Sequence, residues 1–311
     1  MAEAPIDRVR PLLEESDRLY LISLPATFHE TRQGAFGAYH IFNAENPLAD
    51  REFDAALIGR AVDFGYMLWP NRIVDYVHGK DVIDIGCGTG IHSLAYVVFG
   101  VKSYMGVDPR VNLASGRAKN VSNRQWEEFG WTPADIMARF SRIKLVPGTA
   151  ETLPSGETFD IAIMHNVTEH LLQLEEVLRT TAERLRPGGR LVFNHHNFYC
   201  WNGHHMAPKT VSEIDPHDPE QKNYIDWAHI RFEPPECHYI SSGLNRIKLD
   251  ELKELTAHYF DIEIWEERPS EPSAGGGRLT DEIAARFPEL TKNDLKIHNV
   301  FCVTRRKPSL P

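Results

Sequence analysis

Val82-Ile-Asp-Ile-Gly-Cys-Gly-Thr-Gly90 is the stretch that decides how the rest of the chain is read. The apolar run Asp81 to Ile85 has the near-continuous hydrophobicity of a buried parallel strand. Three glycines follow at alternating positions, and Ile91 to Val98 then has the pattern of a helix. A strand that passes through a glycine turn into a helix N-terminus presents unpaired N–H groups to an anionic or nucleotide-like ligand. The missing Cβ atoms let that ligand approach the backbone. A dinucleotide fingerprint would need a third glycine three residues after Gly88, and Ile91 stands there.

Working outward, the 311 residues can bury one large core, so one domain with elaborations is expected rather than two equal ones. Thirty-four basic against 44 acidic residues give a net charge of −10, which speaks against a general polyanion binder. The four cysteines, Cys87, Cys200, Cys237 and Cys302, show no paired spacing. Cys87 lies within the glycine turn, so a reduced, cytoplasmic setting is expected. Met1 to Arg18 lacks the apolar core of a signal peptide, and no window reaches the roughly 20 apolar residues of a membrane span.

Helices are expected over residues 5–20 and 53–78, separated by an irregular stretch, 21–50, whose aromatics could staple it to the core or line a pocket. From Asp81, strands and helices alternate as in a doubly wound α/β sheet. Lys102 to Asp108 reads as strand two, Arg142 to Val146 as strand three, Thr158 to Met164 as strand four and Arg190 to Phe193 as strand five. Helices are expected over 112–129, 134–140 and 171–185, the last stopped by Arg186-Pro-Gly-Gly189. Residues 200–247 interrupt the pattern with a run rich in His, Pro, Asp and aromatics. A loop so long and so aromatic is expected to be functional rather than disordered. Leu249 to Tyr259 is an amphipathic helix and Phe260 to Glu266 strand six. Pro269 to Gly277 reads as a flexible loop, Leu279 to Phe287 as a short helix, and Asn299 to Thr304 as a last strand antiparallel to strand six.

The run Asp84-Ile-Gly86-Cys-Gly88-Thr-Gly90, with its acid two residues before the first glycine, resembles motif I of class I S-adenosylmethionine (SAM) dependent methyltransferases. Asp108, 18 residues past Gly90, has the spacing of a ribose-binding carboxylate. Gly148-Thr-Ala-Glu-Thr-Leu-Pro154 is similar to that family's adenine-contacting turn, and the Pro-Gly-Gly before strand five is similar to another of its landmarks. Four landmarks therefore agree over residues 79 to 195. The resemblance implies a seven-stranded, mostly parallel Rossmann-like sheet with a terminal antiparallel strand. It divides the chain into a helical N-terminal extension, 1–78, and a SAM-binding domain, 79–311. Within that domain, 200–247 would be a substrate lid, and a loop, 268–295, would precede the last strand. It also implies a SAM site made by Asp84, Gly86, Cys87, Gly88, Thr89, Gly90, Asp108, Thr149, Ala150, Glu151 and His165.

Ligands of open α/β sheets bind beyond the carboxyl ends of the strands, and nine of the fifteen histidines fall between residues 165 and 238. His suits proton removal from a hydroxyl or ammonium acceptor near neutral pH. His195 and His196, adjacent on strand five, are candidates for base or acceptor positioning, with only one expected to face a pocket. His204 and His205 are weaker candidates. Asn166-Val-Thr-Glu-His170 resembles the E-x-x-E-H element of metal-assisted methyltransferases, such as ubiquinone-biosynthesis O-methyltransferases and small-RNA 3′-terminal 2′-O-methyltransferases. Glu169 and His170 match that element and His195 or His196 could supply a further ligand, but Asn166 replaces the first acid with a weaker ligand. The expectation is therefore no metal, with Glu169, His170 and His196 as its ligands if one binds. Cys200, His204, Cys237 and His238 are conceivable zinc ligands by type. Arg231, Arg246 and Lys248 could hold a substrate carboxylate.

The expected activity is SAM-dependent methylation of a small polar molecule, with release of S-adenosylhomocysteine. A hydroxyl acceptor is preferred slightly over an amine or a thioether such as methionine's. The alternatives are a metal-assisted RNA 2′-O-methyltransferase and a non-catalytic SAM-binding regulator, with an NAD-dependent oxidoreductase behind them. Nucleic acid and membrane are not expected partners, and assembly as a homodimer is left open.

Overall fold

Five consecutive buried residues, Asp81–Ile85, make β1, flanked by parallel neighbours on both sides. The computed structural model describes residues 68–90, 92–114, 132–154 and 156–309. The expected helix over 5–20, the stretch 21–50, most of the helix over 53–78 and of that over 112–129, and Ile91 lie outside the described residues. Two short helices, Leu68–Arg72 and Val74–Val77, close the helical stretch before β1.

The chain forms two compact units, divided between Ile163 and Met164. In the first, β2 (Ser103–Asp108) and β4 (Phe159–His165) pair with β1, and β3 (Ile143–Pro147) pairs with β2, all in parallel. Helix α1 (Ser93–Val98) follows the glycine turn. Helix α2 (Pro133–Arg139) starts at a Thr132 N-cap with Pro133 in its first turn, and Thr132 and Asp135 cap one another reciprocally. Asp81, the first of two acids in β1, accepts at the strand's start from Lys102 Nζ at 2.8 Å and Ser103 Oγ at 2.7 Å.

In the second unit, α3 (Leu174–Arg184) buries Leu174, Val177, Leu178, Thr181 and Ala182, the i, i+3, i+4, i+7 and i+8 positions of one helix face. β5 runs Leu185–His196 and takes in the Pro-Gly-Gly sequence, with Gly188 at a φ of 79°. The strand therefore starts five residues earlier than its apolar run predicts, because the glycines turn without ending it. Helix α4 (Leu249–Tyr259) has the expected bounds. β7 (Ile297–Arg306) pairs antiparallel with β5 and with β6 (Phe260–Pro269). β6 is an edge strand whose side chains are mostly exposed, and Glu263 on it pairs with Arg190 at 2.7 Å and Arg305 at 2.6 Å. The strand order β3-β2-β1-β4-β5-β7-β6 is the seven-stranded mixed sheet expected from the sequence.

Two expectations are corrected. The stretch Pro269 to Gly277 is not a loose loop. It forms short turns at Pro272–Ala274 and Gly276–Arg278, and Gly275, at a φ of 79°, sits so close to Trp201 that a Cβ would lie 2.1 Å from its ring. The glycines there allow close packing. The helix expected over Leu279 to Phe287 shortens to Asp281–Ala284 under a Thr280 cap, and a further helix, Lys292–Lys296, precedes β7.

Residues 198–244 carry cores of their own. Trp201 and Trp227 pack with Ile283, Phe287 and Leu295, while Phe198 and Tyr224 pack with Ile240 and Leu244. Their aromatic richness is thus spent largely on burial.

Candidate active site

In the first unit, the glycine turn is built by the backbone. Gly86 N donates to Val107 O at 2.8 Å, tying the turn to the end of β2. Gly88 N donates to Asp108 Oδ2 at 3.0 Å, and Arg110 N donates to Oδ1 at 2.7 Å. Gly86, Gly88 and Gly90 all have φ between 62° and 77°, a region closed to most side chains. A Cβ on Gly88 would meet nothing within 4 Å, whereas one on Gly90 would strike Leu145 Cδ2 at 2.5 Å. The turn thus leaves open space at Gly88 and is packed at Gly90. Asp108 is buried, and its two oxygens keep lone pairs beyond the bonds they accept from Gly88 and Arg110. Gly148 N reaches Asp108 O at 3.3 Å, which brings the turn after β3 to the same strand end. There Thr149 caps a short turn, Ala150–Thr152, in which Ala150 is buried and Glu151 exposed.

Asp84 has a different environment. Its Oδ2 accepts from Tyr104 Oη at 2.7 Å beneath the turn, and Tyr104 stacks on Tyr96. Burial, opposed by the tyrosine bond and helped by Asp108, raises its carboxyl to about 7. Cys87, in the same turn, is a buried free thiol whose pKa burial pushes well up.

Described by itself, the second unit gathers a cluster of imidazoles around Glu169. Asn166, at a φ of 53°, turns the chain after β4, and its Oδ1 accepts from Asn194 Nδ2 at 2.5 Å. Thr168–His170 form a single turn fastened by Asn245, whose Nδ2 donates to Thr168 O at 2.6 Å and Leu171 O at 3.0 Å. Glu169 is buried, which raises its carboxyl to about 7. Its Oε2 lies 4.0 Å from His195 Nδ1 and its Oε1 3.9 Å from His170 Nε2.

The strand-five histidines have different neighbours, as strand alternation requires. His195 is enclosed and shares a 2.9 Å hydrogen bond with Thr168 Oγ1. His196 stacks on His205 with ring centroids 4.5 Å apart and meets His298 edge-on at 4.6 Å. Burial lowers His195 and His205 to about 3 and His196 well below its usual value, so these rings are neutral at pH 7. His170 is partly exposed, with 28% of its side chain accessible, and His196, His205 and His298 are half-buried. Its Nδ1–H donates to Gly243 O at 2.8 Å, and the Tyr239 hydroxyl lies 3.3 Å from the same nitrogen.

Other sequence candidates are placed elsewhere. His204 is buried against Tyr224, its Nδ1 accepting from Met206 N at 3.0 Å. His238 uses Nδ1 for Ile240 N and Nε2 for the Tyr224 hydroxyl, and Cys237 is exposed. The conceived zinc set of Cys200, His204, Cys237 and His238 is therefore not assembled. Of the metal-assisted element, Glu169 and His196 come together, but with His205 rather than His170 as the third donor. Arg231 pairs with Glu289 and lies over Phe287, Arg246 lies over Phe198, and Lys248 Nζ reaches Glu289 O at 3.4 Å. These three are held by packing. Sequence reading missed His298, Asn202 and Asn245. For His298 the available signal was its place on the strand that pairs with β5, where His196 is opposite Asn299.

A family described as a methyltransferase domain matches residues 66–249, more than half of the chain. The chain belongs to that methyltransferase-domain family. Its cofactor is SAM, and the open space at Gly88 beside the buried Asp108 acceptor fits that ligand. Ubiquinone biosynthesis O-methyltransferase of Rhizobium etli is 36% identical over 121 residues, 38% of this chain and 41% of that protein. The tRNA U34 carboxymethyltransferase of Aliivibrio salmonicida is 26% identical over 182 residues, 58% of this chain and 48% of that protein. This methyltransferase thus matches about two fifths to one half of the length of these curated relatives. A solved SAM-dependent methyltransferase from Mesorhizobium loti aligns with 78% of this chain and 99% of its own, at 20% identity and a TM-score of 0.46.

Proposed function

We propose that this methyltransferase moves the methyl group of SAM to a hydroxyl of a small polar acceptor, with His170 as the proton acceptor. The observation that carries this reading is the fixed tautomer of His170. Donation of Nδ1–H to Gly243 O leaves Nε2 as the basic nitrogen, on a ring with 28% of its side chain accessible. When bound, SAM supplies an activated methyl on a positively charged sulfur. Asp108 would accept from its ribose hydroxyls, the Gly86–Gly90 turn would take its amino-acid end, and Ala150 with its neighbours Thr149 and Glu151 would meet its adenine. Asp84 supports that turn from beneath, through Tyr104.

The proton leaving the acceptor oxygen goes to His170 Nε2. Glu169 Oε1, 3.9 Å away, then faces the imidazolium as its counter-charge. His195 holds Thr168, and through it the turn that carries Glu169. His196 and the buried His195 are positioning groups in this reading. In this reading residues 200–247 are the substrate lid, and His165, the last residue of β4, belongs with the SAM-binding residues. The net charge of −10 favours a small acceptor over RNA. No helix among the described residues is long and apolar enough to cross a membrane. The free thiols of Cys87, Cys200, Cys237 and Cys302 support a cytoplasmic setting.

The test is a labelled-methyl transfer screen across pools of small hydroxyl, amine and thioether compounds. Turnover confined to hydroxyl pools is the expected result. Transfer only to thioethers, which need no base, would overturn the role given to His170.

A further inference from the structure

We propose that His196, Cys200 and His298 form a binding site for a borderline-soft divalent cation, Zn2+ by the chemistry of its donors. One donor atom from each of the three lies within 4.8 Å of the others. Cys200 Sγ is 3.5 Å from His196 Nε2. That separation is the edge of a tetrahedron with Zn–S of about 2.3 Å and Zn–N of about 2.0–2.1 Å. A thiol and two imidazoles select zinc-like ions and give a hard cation such as Mg2+ little to hold.

The surroundings fit the same ion. Asn202 Oδ1 lies 3.2 Å from Cys200 Sγ and 3.3 Å from His196 Nε2, so it faces a fourth vertex. Its Nδ2 donates to Lys209 O at 3.1 Å, which holds the oxygen toward the cluster. His298 Nε2 is buried without a hydrogen-bond partner, and so is Asn299 Oδ1. The Asn299 amide lies 3.2 Å from His298 Nδ1. Oxygen and nitrogen of an amide are assigned from their partners. Turning the oxygen toward Nδ1–H satisfies Asn299 and leaves a lone pair on His298 Nε2. A thiol–imidazole–amide hydrogen-bond network would account for Cys200, His196 and Asn202, but it leaves His298 with nothing to bind. Charge also balances, because a thiolate at Cys200 and the carboxylate of Glu169, within ligand reach of His196, offset a dication.

This site differs from the acid-and-histidine element suggested by Asn166, Glu169 and His170. Asn166 Oδ1 is taken by Asn194, and His170 Nδ1 by Gly243 O. The donors come instead from the end of β5, the turn after it and the start of β7.

The experiment measures zinc by elemental analysis in the untagged full-length chain, and then Co2+ binding after chelation. A thiolate-to-cobalt band in the near ultraviolet reports a sulfur ligand. S-adenosylhomocysteine binding, read separately by calorimetry, certifies the folded donor site, so a failed metal site and a failed methyltransferase reading give different results. The expected result is about one zinc per chain and a cobalt band that persists in Cys237→Ser and vanishes in Cys200→Ser. His298→Gln, which removes a ligand, should weaken Co2+ binding by more than the roughly tenfold that loss of even an outer-shell partner costs. A folded wild-type chain with neither stoichiometric zinc nor the cobalt band overturns the site. A band that survives in Cys200→Ser does so too.

Discussion

The glycine turn and the imidazole cluster are built in opposite ways. The turn uses contiguous backbone: Gly86 to Gly90 supply conformation and N–H groups, and Asp108 is the chief side chain involved. The cluster uses side chains from Glu169, His170, His195, His196, Cys200, His205 and His298, brought together by a turn, two strands and an insertion. A site made of backbone depends on a few local dihedral angles. A site made of dispersed side chains depends on the packing of everything between them, so it can change while the sheet stays the same. In the proposed reaction the donor is bound through backbone and the acceptor through dispersed side chains.

The largest expected effect tests the functional half of that contrast. His170→Asn should lower the methyl-transfer kcat by about 10²–10⁴-fold, the usual worth of a general base. S-adenosylhomocysteine affinity, measured by calorimetry, should stay within about twofold. A variant with full kcat would remove His170 from the chemistry. Asp108→Ala should do the reverse. It leaves Gly88 N–H without its acceptor and removes the proposed ribose contact, a loss of roughly 1–3 kcal/mol. That corresponds to S-adenosylhomocysteine binding weaker by about tenfold to a hundredfold. If the two variants damage donor binding equally, the two regions are not separable.

The same contrast explains what could be read in the chain. β1, β2, α4 and the antiparallel arrangement of the last strand follow from apolar runs and glycine punctuation, and their bounds agree within a few residues. The glycine turn and Asp108 were legible because their spacing is short and the backbone does the work. Glu169, His170 and His196 were legible as chemical types, but not their neighbours. His298 lies about a hundred residues from His196 and meets it only because β7 pairs with β5. The aromatics of the insertion were legible as a composition, but not that Trp201 and Trp227 form a core within it. Periodicity carries no sign of that, because irregular turns bury residues without a repeat. The glycines at 275–277 suggested flexibility, since sequence cannot tell a glycine that frees the backbone from one that admits a ring.

That last ambiguity gives a middle-sized test. Gly275→Ala should destabilise the second unit by about 1–3 kcal/mol, because the new methyl must displace the Trp201 ring or strain a left-handed residue. Chemical denaturation followed by tryptophan emission reads the loss. Gly277→Ala, whose Cβ meets nothing within 4 Å, should cost much less. Equal stability in the two variants would restore the flexible-loop reading.

A further test separates the regions by pH. Asp84 is held protonated to about 7 in the folded chain, against 3.8 in its ordinary state, so the folded form binds the extra proton between those values. Its contribution is full below about 4 and is lost as pH rises through about 7. His204 and His229 behave oppositely. Burial lowers them to about 2 and about 4, from an ordinary 6.5, and His204 Nδ1 must stay unprotonated to accept from Met206 N. The unfolded chain takes up those protons first, so their contribution is full above 6.5 and falls as pH drops toward 4. Each proton is worth about 1.4 kcal/mol per pH unit within its window. Hydrogen exchange, corrected for intrinsic rates, should therefore show residues 198–232 losing protection between pH 7 and pH 5. The peptides of β1 and β2 should hold or gain it over the same range. Asp84→Asn should abolish the gain in β1 and leave the insertion's acid sensitivity untouched, whereas parallel changes in both regions would mean that the two sites share one cooperative unit.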